Sequence, residues 1–446
     1  MHLRRRRSGN RRYFRTDSII EFLPQRRKVR REKFFISFAS EVIAKVRGDK
    51  ELTIELNEVV VVDAVRTAFG RAGEKGIFWN TRAEDLCVPL LKALIERSPA
   101  VKPAMIEDSI WGVTNQVKEQ GGTIGRMIPI LAEWGWEIPG CSIDRMCASG
   151  LTAIGFSVSH IASGMADCLI AGGVEHMGHL PMGFMRDPHP RAEELLGGPS
   201  AFNMGMTAEN IHDRFPELTG EMANAYAKSC QDKTDQAITA GKMKDMIIPI
   251  EVELADGAKI MADKDQHPRP TTTLEALDGL KTPFREEGGR VTAGNASGLN
   301  DGACAVLLMS GSKAKELGLQ PKLRWVASAV AGVDPTVMGI APVPATEKVL
   351  KKAGLTMDDI DLIEINEAFA VQALYFLDHF GLKPDDPRVN QWGGAIAYGH
   401  PLAASGPRLV AFLCGLFQEN QSARYGLCTM CVGRGQGYSI IWEKFD

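Results

Sequence analysis

Short runs of apolar, β-branched residues alternate with amphipathic segments of helical length from about residue 57 onward. The pattern predicts strands at Val59–Asp63, Ile110–Val113 and Cys168–Gly172, and helices at Ala83–Arg97 and Leu151–Gly164. Alternating strands and helices are typical of a layered α/β protein, because the helices cover the faces of the sheet. The sequence therefore predicts an α/β fold.

The same pattern recurs at low similarity further along the chain. Asp108–Asn115 resembles Asp361–Ala368 at an offset of 253 residues, and Cys147–Gly150 resembles Ala403–Gly406 at an offset of 256. Both copies have a Ser-Gly pair near the start of a predicted helix. Two copies of one α/β unit, packed as a pseudo-dimer, would place residues of the first copy opposite residues of the second. A period this long does not indicate a solenoid.

Residues 177–300 interrupt the repeat. They are rich in Met, His and Pro at first and become helical over Glu221–Met246, as expected of an insertion that covers a site. We predict a basic extension over 1–57, a first half over 58–176 and 301–320, the inserted segment over 177–300, and a second half over 321–446.

Length and charge limit the class of protein. The chain has 446 residues, 44% of them hydrophobic, and a formal net charge of −3. A large core in two or three domains is expected, and the charge does not favour a nucleic-acid-binding protein. The sequence contains no run of about eighteen apolar residues, so we expect no membrane span.

The first 50 residues differ from the rest in charge. They hold 16 Lys and Arg against 5 Asp and Glu, a net charge of +11 that leaves −14 for residues 51–446. A transit peptide is one interpretation, although such peptides contain few acidic residues. A tail that contacts nucleic acid or a membrane surface is a second. We favour the third, an extension without structure.

Nine cysteines and no recognisable secretory signal indicate a reducing compartment with unpaired thiols. Most of the cysteines lie in apolar segments and are expected to be small buried residues. Cys428 and Cys431 have the spacing of a redox or metal-binding pair. However, no second pair accompanies them, and residues three apart on a strand face opposite sides.

Three of the cysteines and histidines are candidates for chemistry. Cys147 precedes Ser149-Gly150 at the predicted start of a helix, where the dipole and unpaired N–H groups favour a thiolate and can bind an oxyanion. His400 follows Gly399 at a sharp turn, where its imidazole can act as a base. The third candidate is Cys431, whose thiol can exchange a proton with a substrate carbon. Two thiols and an imidazole suit carbon–carbon bond chemistry on thioesters.

Taken singly, each candidate has a simpler structural interpretation. A lone cysteine is more often a buried structural residue, and a histidine at a turn more often only forms hydrogen bonds. Asn366 would most simply cap the helix that follows it. Gly433, near Cys431, offers an unobstructed backbone N–H.

Three histidines at the start of the inserted segment or just before it, His176, His179 and His189, invite a metal interpretation. Their spacing is not helical and no acidic partner is evident in the sequence, so we predict no metal site.

Taken together, the segments resemble the thiolase family, and most closely the degradative 3-ketoacyl-CoA thiolases of fatty-acid β-oxidation. The resemblance runs from about Val59 to Phe445. It rests on six segments in order, namely those around Cys147, Gly172–Gly178, Thr292–Gly302, Asn366–Phe369, Gly393–Pro401 and Cys431–Gly437. Two segments, Gly172–Gly178 and Met204–Glu209, are most similar to the bacterial thiolase subunit that works with a hydratase/dehydrogenase subunit.

The resemblance implies a thiolase fold, with two similar α/β halves in an αβαβα layering and an inserted loop domain. It also implies site roles. Cys147 would be the acylated nucleophile, His400 its base and Cys431 the second acid and base. His400 with a water held by Asn366 would form one oxyanion hole, and the backbone N–H groups of Cys147 and Gly433 the other.

The remaining implications concern ligands. Ser297 matches a residue that contacts the pantetheine arm of CoA, and CoA is a substrate, so no cofactor or metal is expected. Two departures lie near His400: Ala403 stands where the family usually has glycine, and Trp392 where it has a small polar residue.

We therefore expect an acetyl-CoA acyltransferase that cleaves 3-ketoacyl-CoA with CoA. The alternatives are a biosynthetic acetoacetyl-CoA thiolase, a non-catalytic thiolase-like subunit and, with less support, a condensing ketoacyl synthase, which lacks a second thiol. We expect a homodimer or larger assembly, a hydratase/dehydrogenase partner subunit, and a cytoplasmic location, or an organelle matrix if the basic extension is a transit peptide.

Overall fold

The computed structural model describes residues 56–185, 187–198 and 202–445. The predicted basic extension, 1–57, lies outside the described residues except for its last two. Within the described part of the chain, no helix is long and apolar enough to cross a bilayer.

A mixed sheet forms the centre of the fold, with the strand order β10-β11-β12-β9-β1-β8-β5-β3-β4 and β2 paired beside β8. A separate hairpin joins β6 to β7. The strands are β1 (Val59–Arg66), β2 (Gly70–Arg71), β3 (Asp108–Gly112), β4 (Gly140–Ile143), β5 (Cys168–His176), β6 (Ile250–Glu253), β7 (Lys259–Ala262), β8 (Asn300–Ser310), β9 (Leu323–Gly332), β10 (Leu362–Asn366), β11 (Tyr425–Val432) and β12 (Gln436–Lys444).

Several of the helices pack on the sheet, and others pack on those helices. The α-helices are α1 (Ala83–Arg97), α2 (Ile124–Leu131), α3 (Ser149–Ala162), α4 (Pro190–Leu195), α5 (Met204–Arg214), α6 (Gly220–Thr239), α7 (Leu274–Asp278), α8 (Gly311–Glu316), α9 (Pro342–Ala353), α10 (Ala370–His379), α11 (Ala395–Tyr398) and α12 (Leu402–Glu419). Short 3₁₀ helices lie at Pro103–Met105, Lys118–Gln120, Pro335–Ile340 and Met357–Asp359.

The predicted internal repeat is visible in the strand pairing. In the first half β3 is parallel to β5, β5 antiparallel to β8, and β8 antiparallel to β1. In the second half β10 is parallel to β11, β11 antiparallel to β12, and β12 antiparallel to β9. The halves join where β1 pairs with β9 at Val60 and Val61.

The two repeated Ser-Gly pairs explain how the halves pack. A β-carbon on Gly150 of α3 would overlap the carbonyl oxygen of Ala403 in α12, and one on Gly406 would overlap Leu151. The two helices therefore cross with their backbones in contact, which only glycine permits. This crossing brings the start of α3 against the start of α12.

Most predicted elements are present, with shifted ends. The helix Ala83–Arg97 has the predicted bounds, whereas the predicted helix Glu221–Met246 ends at Thr239, just before Gly241 adopts φ +74°. The predicted strand Cys168–Gly172 continues to His176, because all nine of its residues pair with β8.

Candidate active site

Cys147 lies in a tight turn between β4 and α3. The hydroxyl of Ser149 fastens the turn, since it accepts the backbone N–H of Arg145 at 2.8 Å and donates to the carbonyl of Met146 at 2.6 Å. Met146 has φ +48°, a strained conformation for a non-glycine residue of the kind that clusters at active sites. Cys147 is partly buried and lies two residues before α3. The helix dipole there favours negative charge on sulfur.

His400 lies just before α12. Gly399 has φ +96°, and a β-carbon on it would overlap the amide of Asn300, so glycine is required. Asn300 Oδ1 accepts the backbone N–H of His400 at 3.2 Å. The imidazole Nδ1 lies 2.6 Å from Ser405 Oγ. Because this hydrogen bond occupies Nδ1, Nε2 is the nitrogen that can meet a ligand, and it has no partner among the described residues.

The imidazole of His400 is neutral at physiological pH. Burial disfavours its charged form, the guanidinium of Arg408 disfavours that form further, and the two effects lower the pKa of His400 to about 3. A neutral imidazole can accept a proton from a thiol at Nε2 and then donate it to an oxyanion.

Asn366 is the buried last residue of β10. In the sheet register it lies beside Met430, which precedes Cys431. Its Oδ1 accepts a hydrogen bond from Arg408 Nη2 at 3.5 Å, whereas Nδ2 has no partner among the described residues. Leaving a buried donor unsatisfied costs about 1–3 kcal/mol, so such groups are rare without a function. The Asn366 N–H groups are suited to hold a ligand or an ordered water.

Cys431 and Gly433 lie where β11 turns into β12. Burial, and secondly the nearby thiol of Cys147, raise the pKa of the Cys431 thiol far above its ordinary value. A β-carbon on Gly433 would lie 3.5 Å from Met146 Cγ and 3.7 Å from Met204 Sδ, which are ordinary contact distances. Packing alone does not require glycine here, so the missing side chain leaves space beside the Cys147 turn.

Ser297 is fastened to the segment that follows Asn366. The backbone N–H of Ser297 donates to the carbonyl of Ala368 at 3.0 Å, and Ala296 forms an antiparallel bridge with Phe369. The segment that would contact pantetheine thus lies next to the end of β10.

The six predicted residues come together where the two halves meet. Cys147 and His400 each precede a central helix, and the two helices cross within three residues of them, at Gly150 and Ala403. The first half contributes Cys147, the segment 177–300 contributes Ser297, and the second half contributes Asn366, His400, Cys431 and Gly433.

Sequence reasoning gave no role to Glu367, although it directly follows Asn366. Its buried carboxylate accepts hydrogen bonds from the Tyr226 hydroxyl at 2.9 Å, the Cys230 thiol at 3.1 Å and the Asn390 amide at 2.6 Å. Glu367 therefore ties β10 to helix α6 of the segment 177–300. A carboxylate just after the end of an apolar strand was the available signal in the sequence.

The histidine cluster has an acidic partner that the sequence did not reveal. Glu119, His176 and His179 have ligand atoms within 4.8 Å of one another. The two imidazoles stack, with centroids 3.7 Å apart and planes at 14°. A nitrogen lone pair lies in its ring plane, so two stacked rings cannot both direct lone pairs at one ion. His189 instead caps α4 by accepting the Arg191 N–H.

Models of the thiolase family match nearly all of the described chain. The thiolase N-terminal domain matches residues 59–312, and the thiolase C-terminal domain matches residues 319–444. The chain belongs to the thiolase family. The segment 177–300 lies wholly inside the match to the N-terminal domain, so this thiolase carries it as part of the family's own architecture.

Relatives of this thiolase are similar over their whole length. The 3-ketoacyl-CoA thiolase of Idiomarina loihiensis is 43% identical over 392 residues, covering 87% of this chain and 100% of that protein. The 3-ketoacyl-CoA thiolase of Pseudoalteromonas atlantica is 44% identical over 390 residues, with the same coverage. The crystal structure of the Bacillus anthracis acetyl-CoA acetyltransferase has a TM-score of 0.79 and 35% identity, covering 88% of this chain and 100% of that one.

Ala403 and Trp392, the two positions where the sequence departs from the family pattern, are both buried. Ala403 is buried at the crossing of the central helices. The ring of Trp392 packs against Gly415 and edge-on against Phe412, and its Nε1 donates to Glu419 at 3.3 Å. These partners lie about three to five turns along α12 from His400. Trp392 therefore packs against the side of α12, several turns away from His400.

Proposed function

We propose that this protein catalyses the CoA-dependent thiolytic cleavage of 3-ketoacyl-CoA to acetyl-CoA and an acyl-CoA shortened by two carbons, in fatty-acid β-oxidation. The observation that carries the proposal is that the thiols of Cys147 and Cys431 lie close to each other at a site with two buried nitrogen atoms, His400 Nε2 and Asn366 Nδ2, which have no hydrogen-bond partner among the described residues. The names of the 43–44% identical relatives support it.

In the first step, Cys147 Sγ attacks the 3-keto carbon, and His400 Nε2 accepts the thiol proton. The carbonyl oxygen becomes an oxyanion, held by the backbone N–H groups of Cys147 and Gly433. The bond between C2 and C3 then breaks, so that the acyl group remains as a thioester on Cys147 and the electron pair passes to the enolate of acetyl-CoA.

The enolate oxygen is held by His400 Nε2–H and by a water on the Asn366 amide. Cys431 donates its proton to the enolate carbon, which releases acetyl-CoA. Its high pKa keeps that proton in place until the carbanion forms. Cys431 then takes a proton from incoming CoA, whose sulfur attacks the acyl-Cys147 thioester. The bond between the acyl carbon and Cys147 Sγ breaks, which releases acyl-CoA, and the departing Cys147 thiolate recovers its proton from His400. Two oxygens become anionic at different steps, which accounts for two sets of donors.

The test is thiolysis of 3-ketoacyl-CoA substrates from C4 to C16 by the full chain, with Cys147→Ser as the control. We expect cleavage of substrates longer than C4 and none by the variant. Activity on C4 alone would favour the biosynthetic acetoacetyl-CoA thiolase, and inactivity throughout would favour a non-catalytic subunit.

We further propose a homodimer, formed across strand β4. This strand ends the sheet, pairs only with β3 within the described chain, and is only partly buried along its length. An open strand edge of this kind is a template for pairing with a second copy. Sedimentation velocity at micromolar concentration tests this proposal, and a monomer would contradict it.

The remaining assignments are proposals from the family resemblance. We propose that the enzyme uses CoA as a substrate without a cofactor or metal, does not bind nucleic acid, acts in the cytoplasm, and associates with a hydratase/dehydrogenase subunit. Co-purification with such a subunit from cells is the direct test of the last point.

A further inference from the structure

Two charged side chains lie buried behind the candidate site without a role in the proposed mechanism. Arg408 is on α12 and Glu364 is on β10, and both are completely buried. Among the described residues, Nε and Nη1 of Arg408 and both carboxyl oxygens of Glu364 have no hydrogen-bond partner. Buried ionisable groups are costly, so their presence next to a reaction centre requires an explanation.

Arg408 sets the orientation of the Asn366 amide. Arg408 Nη2 donates to Asn366 Oδ1 at 3.5 Å. A guanidinium has only donors, so the amide oxygen must face it and the amide nitrogen must face away. The contact therefore fixes which end of Asn366 is turned away from Arg408, and that end is the donor Nδ2, which has no partner in the part of the chain that the structure describes.

Arg408 also places a positive charge near His400. Burial is the largest cause of the lowered pKa of His400, and the positive charge of Arg408 is the second. The guanidinium therefore acts electrostatically on His400 as well as contacting Asn366. Burial raises the pKa of Glu364 to about 8, against the opposing effect of Arg408. Glu364 is then mostly protonated at neutral pH and does not neutralise the arginine. The cluster retains positive charge, which favours an anion nearby.

Other titratable groups surround the cluster on neighbouring elements. They are Cys428 on β11, Cys304 on β8, Tyr398 at the end of α11, Glu367 after β10, and Tyr226 and Lys233 on α6. Within the described chain, none of these contributes a resolved shift to the pKa of His400.

We propose that Arg408 is a positioning residue of the thiolytic reaction. It turns the Asn366 N–H groups toward the substrate oxygen and places a buried positive charge behind the imidazole of His400, with Glu364 completing the cluster. This inference rests on the proposed function.

Two variants separate the two effects. Arg408→Lys keeps the charge but loses the planar guanidinium whose Nη2 donates to Asn366. The double variant Arg408→Met with Glu364→Gln removes the charge and leaves no unpaired buried ion, so it is expected to fold. Near-UV circular dichroism and thermal melting check folding in both.

For the double variant we expect kcat to fall about 10- to 100-fold with KM nearly unchanged, because the donors act on the transition state. We also expect the acid limb of kcat/KM to move to higher pH. Without Arg408 the pKa of His400 rises, so the imidazole is protonated, and unable to act as a base, at a higher pH than in the wild type. For Arg408→Lys we expect a lower kcat with the acid limb close to that of the wild type.

A folded double variant with wild-type kcat and an unchanged acid limb would overturn the inference. Should the double variant not fold, Arg408→Lys decides, because a wild-type kcat there removes the positioning role. Failure of the proposed function has a different signature, in which the wild type itself shows no thiolysis. Alkylation of Cys147 by iodoacetamide as a function of pH then still tests whether Arg408 sets the charge of His400.

Discussion

At the residue scale, the candidate site depends on which atoms are left without partners. Ser405 occupies Nδ1 of His400 and Arg408 faces the oxygen of Asn366, so that one nitrogen of each side chain stays available. The residues beside glycines, such as His400 and Cys431, were predictable because glycine marks turns and close approach. Arg408 was not predictable, because its role depends on its contact with Asn366 of β10, which lies 42 residues earlier in the chain.

The space beside Gly433 predicts a difference between two glycine substitutions. Gly433→Ala should leave thermal stability nearly unchanged, since the new methyl group meets only ordinary contacts, but should lower thiolytic activity by filling the space next to Cys147. Gly399→Ala should instead lower the melting temperature, because φ +96° and Asn300 exclude a side chain. Thermal melting and initial rates on both variants check this. Equal loss of stability in the two would count against it.

The buried carboxyl of Glu364 predicts a pH dependence of stability. Its pKa in the folded protein, about 8, lies above its ordinary value near 4.5. Between these values the folded state holds a proton that the unfolded state has lost, so this group makes the protein less stable as pH rises. Glu364→Gln mimics the protonated form and should gain stability over the wild type from pH 5 to pH 8. Urea denaturation at several pH values measures the difference, and a gap that does not grow with pH would contradict the assignment.

At the element scale, the crossing of α3 and α12 joins the two halves and brings Cys147 to His400. The repeated Ser-Gly pairs in the sequence predicted related helices, but not that the glycine of each pair would pack against the other helix. That outcome depends on how the halves meet, which no local pattern encodes. Helix ends were also less predictable than helix positions, as the shortened α6 shows.

The crossing predicts a stability cost for a single methyl group. Gly150→Ala would place a β-carbon against Ala403 and Pro407 and should destabilise the protein by about 1–3 kcal/mol through overpacking. Gly332→Ala, where the nearest atom to a new β-carbon is 4.0 Å away, is the matched control and should be nearly neutral. Urea denaturation of both compares them, and equal stabilities would show that the helices do not cross this closely.

At the scale of the whole molecule, the site exists because two similar halves face each other. The weak repeat and the order of motifs were enough to predict the α/β fold and the family, whereas the roles of the site residues stay predictions. The bounds assigned to the halves and to the segment 177–300 stay predictions. The ties between that segment and the site, such as Cys230 with Glu367, could not be predicted, because they join residues 137 positions apart.

The central claim, that Cys147 carries the acyl group, has a direct test. The wild-type enzyme is mixed with 3-ketooctanoyl-CoA in the absence of added CoA, quenched in acid, digested and analysed by mass spectrometry. We expect a hexanoyl thioester on the peptide that contains Cys147, an equal amount of acetyl-CoA, and loss of the adduct when CoA is added. Turnover without this adduct, or an adduct on Cys431 or another cysteine, would contradict the account.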